Sequence, residues 1–134
     1  MILGHISKEE FLADYWQKKP LLVRNAIANF EPPIDGDELA GLSLEQEVES
    51  RLVIGEDCKL EHGPFAEERF ASLPASHWTL LVQAVDLWVP EVAELLQYFD
   101  FIPPWRIDDI MVSYAEDGGS VGPHFDYYDV FLIQ

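Results

Sequence analysis

Apolar residues recur at helical and strand spacings along most of the chain, and the first such run is the clearest. Ser7 and Glu10 stand three apart, as a capping box requires, and Phe11, Leu12, Tyr15 and Trp16 then share one helical face. This predicts a helix from Ser7 to about Gln17. Lys18 and Lys19 suit its C-terminal dipole and Pro20 ends it, after which Leu21-Leu22-Val23 reads as a short buried strand. Asp35 to Glu49 spreads Leu39, Leu42, Leu44 and Val48 through an acidic stretch, the pattern of one or two short helices with a solvated carboxylate face. Arg51–Ile54 and Cys58–His62 flank Gly55-Glu56-Asp57 and predict a hairpin, which Gly63-Pro64 breaks.

Trp78 to Val85 is strand-like. After Pro90, Val92, Leu95, Leu96 and Phe99 repeat at three and four, predicting an amphipathic helix to about Tyr98 that Pro103-Pro104 closes. Ile107–Ala115 is a further strand, Glu116 to Ser120 a turn, and Val121–Asp126 and Asp129–Gln134 two more strands. No repeat, linker or low-complexity tract interrupts this order. An apolar strand pattern still running at Gln134 leads us to expect that the 134 residues are part of a longer chain.

Composition narrows the class. With 49% hydrophobic and 13% aromatic residues the chain can build one core, and its 8 Phe, 5 Tyr and 4 Trp set it apart from acidic disordered segments. Eight Lys and Arg against 25 Asp and Glu give a formal charge of −17, which disfavours direct nucleic acid binding and favours a basic partner. The lone Cys58 cannot form an internal disulfide, and no signal peptide or membrane-length apolar run is present, so a soluble cytoplasmic protein is expected. Scattered tryptophans are expected in the core, and Cys58 has no neighbour that would make it a nucleophile.

The chemistry concentrates near the end. His124 and Asp126 are two residues apart in a strand-like run, so their side chains emerge on one face and can hold one metal ion together. They form half of a facial triad, in which two histidines and a carboxylate leave three metal positions open. The spacing alone is weak, since 4 His and 11 Asp in 134 positions supply roughly 0.3 such pairs by chance. Context adds weight, because the pair follows a glycine-rich turn and Gly122-Pro123 and precedes a very apolar run.

Gly122-Pro123-His124-Phe125-Asp126-Tyr127-Tyr128-Asp129-Val130-Phe131-Leu132-Ile133-Gln134 resembles the metal-binding strand of the JmjC-type cupin oxygenases, in particular the bacterial ribosomal oxygenases. Phe11-Leu12 with Tyr15-Trp16-Gln17-Lys18-Lys19-Pro20-Leu21-Leu22-Val23-Arg24-Asn25-Ala26 is similar to the start of the same proteins, and Tyr114-Ala115-Glu116-Asp117-Gly118-Gly119 matches as well. The resemblance implies an α+β fold, with N-terminal helices and strands leading into the first strands of a cupin double-stranded β-helix. It implies that residues 1–134 are the N-terminal part of a JmjC domain whose remaining barrel and C-terminal domains lie elsewhere. It implies His124 and Asp126 as iron ligands, Asp117 as an acidic residue facing a substrate guanidinium, Fe(II) as metal and 2-oxoglutarate as co-substrate. The activity implied is hydroxylation of an arginine in a basic ribosomal protein, by an intact protein that can be a homodimer.

Two family features have no counterpart here. The distal histidine ligand and the basic residue that pairs with 2-oxoglutarate fall after Gln134 in the family pattern, and His5, His62 and His77 stand where surface or core histidines are expected. The 134 residues alone are therefore expected to be inactive. The alternative is a non-catalytic cupin-like interaction module.

Overall fold

The computed structural model describes residues 2–134. Its first helix begins where the capping residues predict, with Ser7 Oγ accepting the Glu10 N–H at 3.0 Å. Helix α1 covers Lys8–Glu10 and continues as a wider π turn over Phe11–Tyr15, closed by the Trp16 N–H donating to Phe11 O at 2.8 Å. The extra residue in that turn brings Phe11, Tyr15 and Trp16 together, with Phe11 to Trp16 ring centroids 6.0 Å apart. Helix α2, Gly36–Leu42, is held by a full capping box between Asp35 and Glu38 and buries Leu39, while Glu45, Glu47 and Glu49 stay exposed as expected.

Four antiparallel strands make one sheet: β1 (Ser50–Ile54), β2 (Lys59–His62), β3 (Trp78–Val82) and β4 (Val112–Ala115), in the order β2-β1-β3-β4. The β1–β2 hairpin is the one predicted, with Cys58 falling in its turn at φ 52° rather than in the strand. Helices α3 (Glu67–Ala71) and α4 (Pro90–Ala93, then a tighter 3-10 stretch over Glu94–Phe99) complete the α+β architecture. Leu52, Leu80 and Val82 on one sheet face pack with Leu39 of α2 and Val92 of α4, all essentially inaccessible to water. Each such leucine contributes about 2 kcal/mol of burial. A second cluster gathers Leu3, Ile6 and Phe11 with Trp16, Leu21 and Phe101.

Several predicted strands are shortened or missing, for local reasons. β3 stops at Val82 because Ala84 turns into the left-handed region (φ 51°) and gives its N–H to Asp109 Oδ2 at 2.7 Å. β4 starts only at Val112, since Ile110 spends its N–H on Asp86 Oδ1 at 2.8 Å and its carbonyl on the Val85 N–H at 2.9 Å. Leu21–Val23 finds no ladder partner among the described residues, and Leu22 is exposed. Val121–Asp126 and Asp129–Gln134 are irregular rather than strands, because no described strand lies beside them to take their backbone groups. Of the tryptophans expected in the core, Trp88 and Trp105 are exposed.

Arg69 of α3 holds Glu61 of β2 with two hydrogen bonds, Nε to Oε1 at 3.1 Å and Nη2 to Oε2 at 2.7 Å. The hydrogen-bonded guanidinium, opposed by partial burial, lowers the Glu61 carboxyl from its ordinary 4.5. A carboxyl depressed on folding stabilises above its unfolded value and loses that stabilisation as pH falls through the folded one. Both side chains are about a third exposed, so solvent screening limits the pair to about 1 kcal/mol. Glu61→Gln is expected to lower unfolding free energy by about that amount at pH 7, and the difference should shrink as pH falls below 4.5, read by urea unfolding at each pH.

Candidate metal centre

The segment that carries His124 leaves the sheet from the end of β4, and backbone hydrogen bonds hold its start. The Glu116 N–H donates to Trp78 O at 3.1 Å and the His77 N–H to Asp117 O at 2.9 Å, extending the β3–β4 ladder past its last paired residues. The turn then closes with the Gly119 N–H on Glu116 O at 2.7 Å. Gly118 sits at φ +73° with the His77 ring against it, which accounts for the glycine. At Gly119 a Cβ would collide with the backbone carbonyl of Trp78 and come within 2.9 Å of Glu116 O. Thr79, 4% exposed, aims its Oγ1 at the same glycine and has no hydrogen-bond partner among the described residues.

From there the chain turns again at Gly122 (φ +77°), whose N–H is taken by Ser120 Oγ at 3.0 Å. His124 Nδ1 lies 2.8 Å from Gly122 O. A carbonyl oxygen can only accept, so Nδ1 carries the proton and Nε2 is left with its lone pair free. That free nitrogen stands 3.8 Å from Asp126 Oδ2. Two neighbouring ligands of an octahedral ion, each about 2.1 Å from it, are about 3 Å apart. The pair therefore needs to close by less than an ångström to share one ion, and both side chains are open to solvent. His124 and Asp126 lie near each other although the strand expected to carry them is not formed, because two residues of separation keep them within reach.

Asp117 is exposed on the turn. Among the described residues no hydrogen bond joins its side chain to His124 or Asp126, and no three His, Cys, Asp or Glu side chains converge as a complete metal site. Beside it, Glu116 accepts from Tyr114 Oη at 2.8 Å, and that hydrogen bond to a carboxylate pushes the phenol above its ordinary 10. His5, His62 and His77 are all exposed.

The residues after Asp126 return to α1. Gln17 Nε2 donates to Asp129 Oδ2 at 2.9 Å, and the Phe131 ring packs on Trp16, Phe11, Phe99 and Phe101 with centroids 4.6 to 6.0 Å away. A shallow depression beside the site is lined by Gln17, Asp126, Tyr127, Tyr128 and Asp129. Neither Gln17 nor Phe131 stands out in the sequence as part of a site, since the first reads as a helix end and the second as strand.

The family model for the JmjC domain matches residues 94–134, the stretch that contains both His124 and Asp126. The chain is 50% identical to the ribosomal protein uL16 3-hydroxylase of Escherichia coli K12 over 127 residues, which are 93% of this chain and 34% of that protein. It is 46% identical to a probable ribosomal oxygenase of Haemophilus influenzae Rd over 133 residues, 97% of this chain and 33% of the relative. Solved structures of YcfD, a ribosomal oxygenase from Escherichia coli, superpose on 91% of this chain with a TM-score of 0.84 and 45% identity, one of them in complex with cobalt and 2-oxoglutarate. The chain spans about a third of the length of these relatives. The resemblance to ribosomal oxygenases thus extends over nearly the whole chain, and its α+β fold is the one YcfD has over this stretch.

Two glycines give opposite expectations on alanine substitution. Gly119→Ala should destabilise by about 2 kcal/mol or more, because the obstacle is backbone. Gly41→Ala in α2, with nothing near its Cβ position, should stabilise by about 0.5–1 kcal/mol. Urea unfolding of the two variants against the parent checks both signs.

Proposed function

We propose that these residues are the N-terminal part of a JmjC domain in an Fe(II)- and 2-oxoglutarate-dependent hydroxylase, with His124 and Asp126 as two of its iron ligands and an arginine of a large-subunit ribosomal protein as substrate. The observation that carries the proposal is the Nδ1–H of His124 held by Gly122 O, which turns Nε2 toward the carboxylate of Asp126. One imidazole and one carboxylate on the same side are a donor set that suits Fe(II) and leaves positions open for a co-substrate. The third ligand and the basic partner of 2-oxoglutarate belong, in this reading, to strands outside the 134 residues.

When bound, iron and 2-oxoglutarate supply the oxidising power that lets dioxygen hydroxylate an unactivated C–H bond. What this chain adds is placement. Gly122 fixes the tautomer and orientation of His124, as a second-layer acceptor does for a metal-binding imidazole. Asp126 contributes negative charge to the metal, and Asp117, exposed on the preceding turn, offers a carboxylate that can accept a guanidinium through two hydrogen bonds. A formal charge of −17 draws a basic ribosomal protein in and disfavours binding of free nucleic acid by this segment. No described helix is long and apolar enough to cross a membrane, and the reading places the reaction in the cytoplasm, in an intact protein that can pair as a homodimer.

The test is succinate formation and gain of one oxygen atom by a large-subunit ribosomal protein, measured with the intact protein, Fe(II) and 2-oxoglutarate. His124→Ala should lower turnover by about 100-fold or more at an unchanged thermal midpoint. Wild-type protein that never consumes 2-oxoglutarate, with the substrate present, would overturn the reading in favour of a non-catalytic interaction module. Asp117→Asn should raise KM for the ribosomal protein about ten-fold while leaving Fe(II) affinity unchanged; an unchanged KM would remove Asp117 from the substrate site.

A further inference from the structure

The two candidate ligands are secured by different parts of the molecule. His124 is oriented from its own turn, through Gly122 O. Asp126 lies three residues before Asp129 and five before Phe131. The next fixed points along the chain are Asp129 and Phe131. Both are contacted by consecutive residues just after the π turn, Asp129 by a solvent-exposed hydrogen bond from Gln17 Nε2 at 2.9 Å and Phe131 by the Trp16 ring, stacked at 5.6 Å and 18°.

Gln17 is built for a return contact. The π turn over Phe11–Tyr15 carries Trp16 onto the aromatic cluster. Gln17 itself takes φ 59°, a region that side-chain-bearing residues seldom adopt. Backbone hydrogen bonds hold it there, since Lys18 and Lys19 both donate to Tyr15 O, at 2.8 and 3.0 Å. Its side chain then lines the same depression as Asp126.

We propose that Gln17 is a positioning residue for Asp126. By fixing Asp129 it sets the course of Asp126–Asp129, and with it the distance between the carboxylate and His124 Nε2. The proposal rests on the reading of His124 and Asp126 as metal ligands. A separation of 3.8 Å that must close to about 3 Å makes the site sensitive to this course.

The experiment is titration of the intact protein with Co(II) alone, read by the visible absorption of the bound ion, whose bands report ligand geometry as well as occupancy. Gln17→Ala and Asp129→Ala should each weaken Co(II) binding about five-fold and alter the band shape, the double variant being no weaker than either single one. Asp129→Asn, which keeps an acceptor oxygen, should restore most of the affinity. Thermal midpoints should stay within about 2 °C of the parent, separating positioning from loss of fold. Parental affinity and spectrum in Gln17→Ala, or additive losses in the double variant, overturn the proposal while leaving the metal reading intact. If His124→Ala leaves Co(II) binding unchanged, the metal reading itself fails and the role of Gln17 falls with it.

Discussion

Everything that places His124 starts from the backbone ladder at the head of β3. This strand pairs with β1 on one side and β4 on the other and sends Leu80 and Val82 into the core. Beyond its last paired residue the ladder continues through Trp78 O and the His77 N–H, which capture Glu116 and Asp117 of the following turn. The turn is thereby held at the half-buried head of β3, one residue before its buried run Thr79–Val82. Its tightness explains Gly119, because a side chain would occupy the space of the Trp78 carbonyl. His124, five residues beyond Gly119, inherits that origin, with Gly122 as a second bend.

The second constraint is aromatic. Phe131, near the end of the chain, sits among Phe11, Trp16, Phe99 and Phe101 and so joins α1, the end of the α4 region and the segment after the candidate ligands. Aromatic rings at 4.6 to 6.0 Å give such a joint direction as well as adhesion. His124 and Asp126 thus lie on a span tied at one end to the sheet and at the other to the first helix. Between the ties the span is solvent-facing, with Phe125, Tyr127 and Tyr128 exposed. That arrangement limits where His124 and Asp126 can go.

Elements specified by neighbouring residues were legible in the sequence. The α1 cap, the acidic helix α2 and the β1–β2 hairpin each depend on residues a few positions apart, and each stands where the pattern predicts. The terminal strands were not, because alternation describes side chains whereas a strand also needs a backbone partner, and Val121–Gln134 has none among the described residues. The closeness of His124 and Asp126 was legible for the opposite reason, since a two-residue separation brings them near each other without any partner strand. The Gln17–Asp129 bond joins residues 112 positions apart, and no local pattern announces it. The end of β3 was hidden in the same way, by Asp109 taking the Ala84 N–H from 25 residues away.

Whether His124 and Asp126 hold one metal ion between them can be read from an anomalous difference map of crystals of the intact protein grown with Mn(II). A shared ion gives a single strong peak about 2.1 Å from both His124 Nε2 and an Asp126 carboxylate oxygen, with Nδ1 of the same ring still on Gly122 O. A metal peak that touches neither residue, or a His124 ring turned to present Nδ1 to the ion, would contradict it.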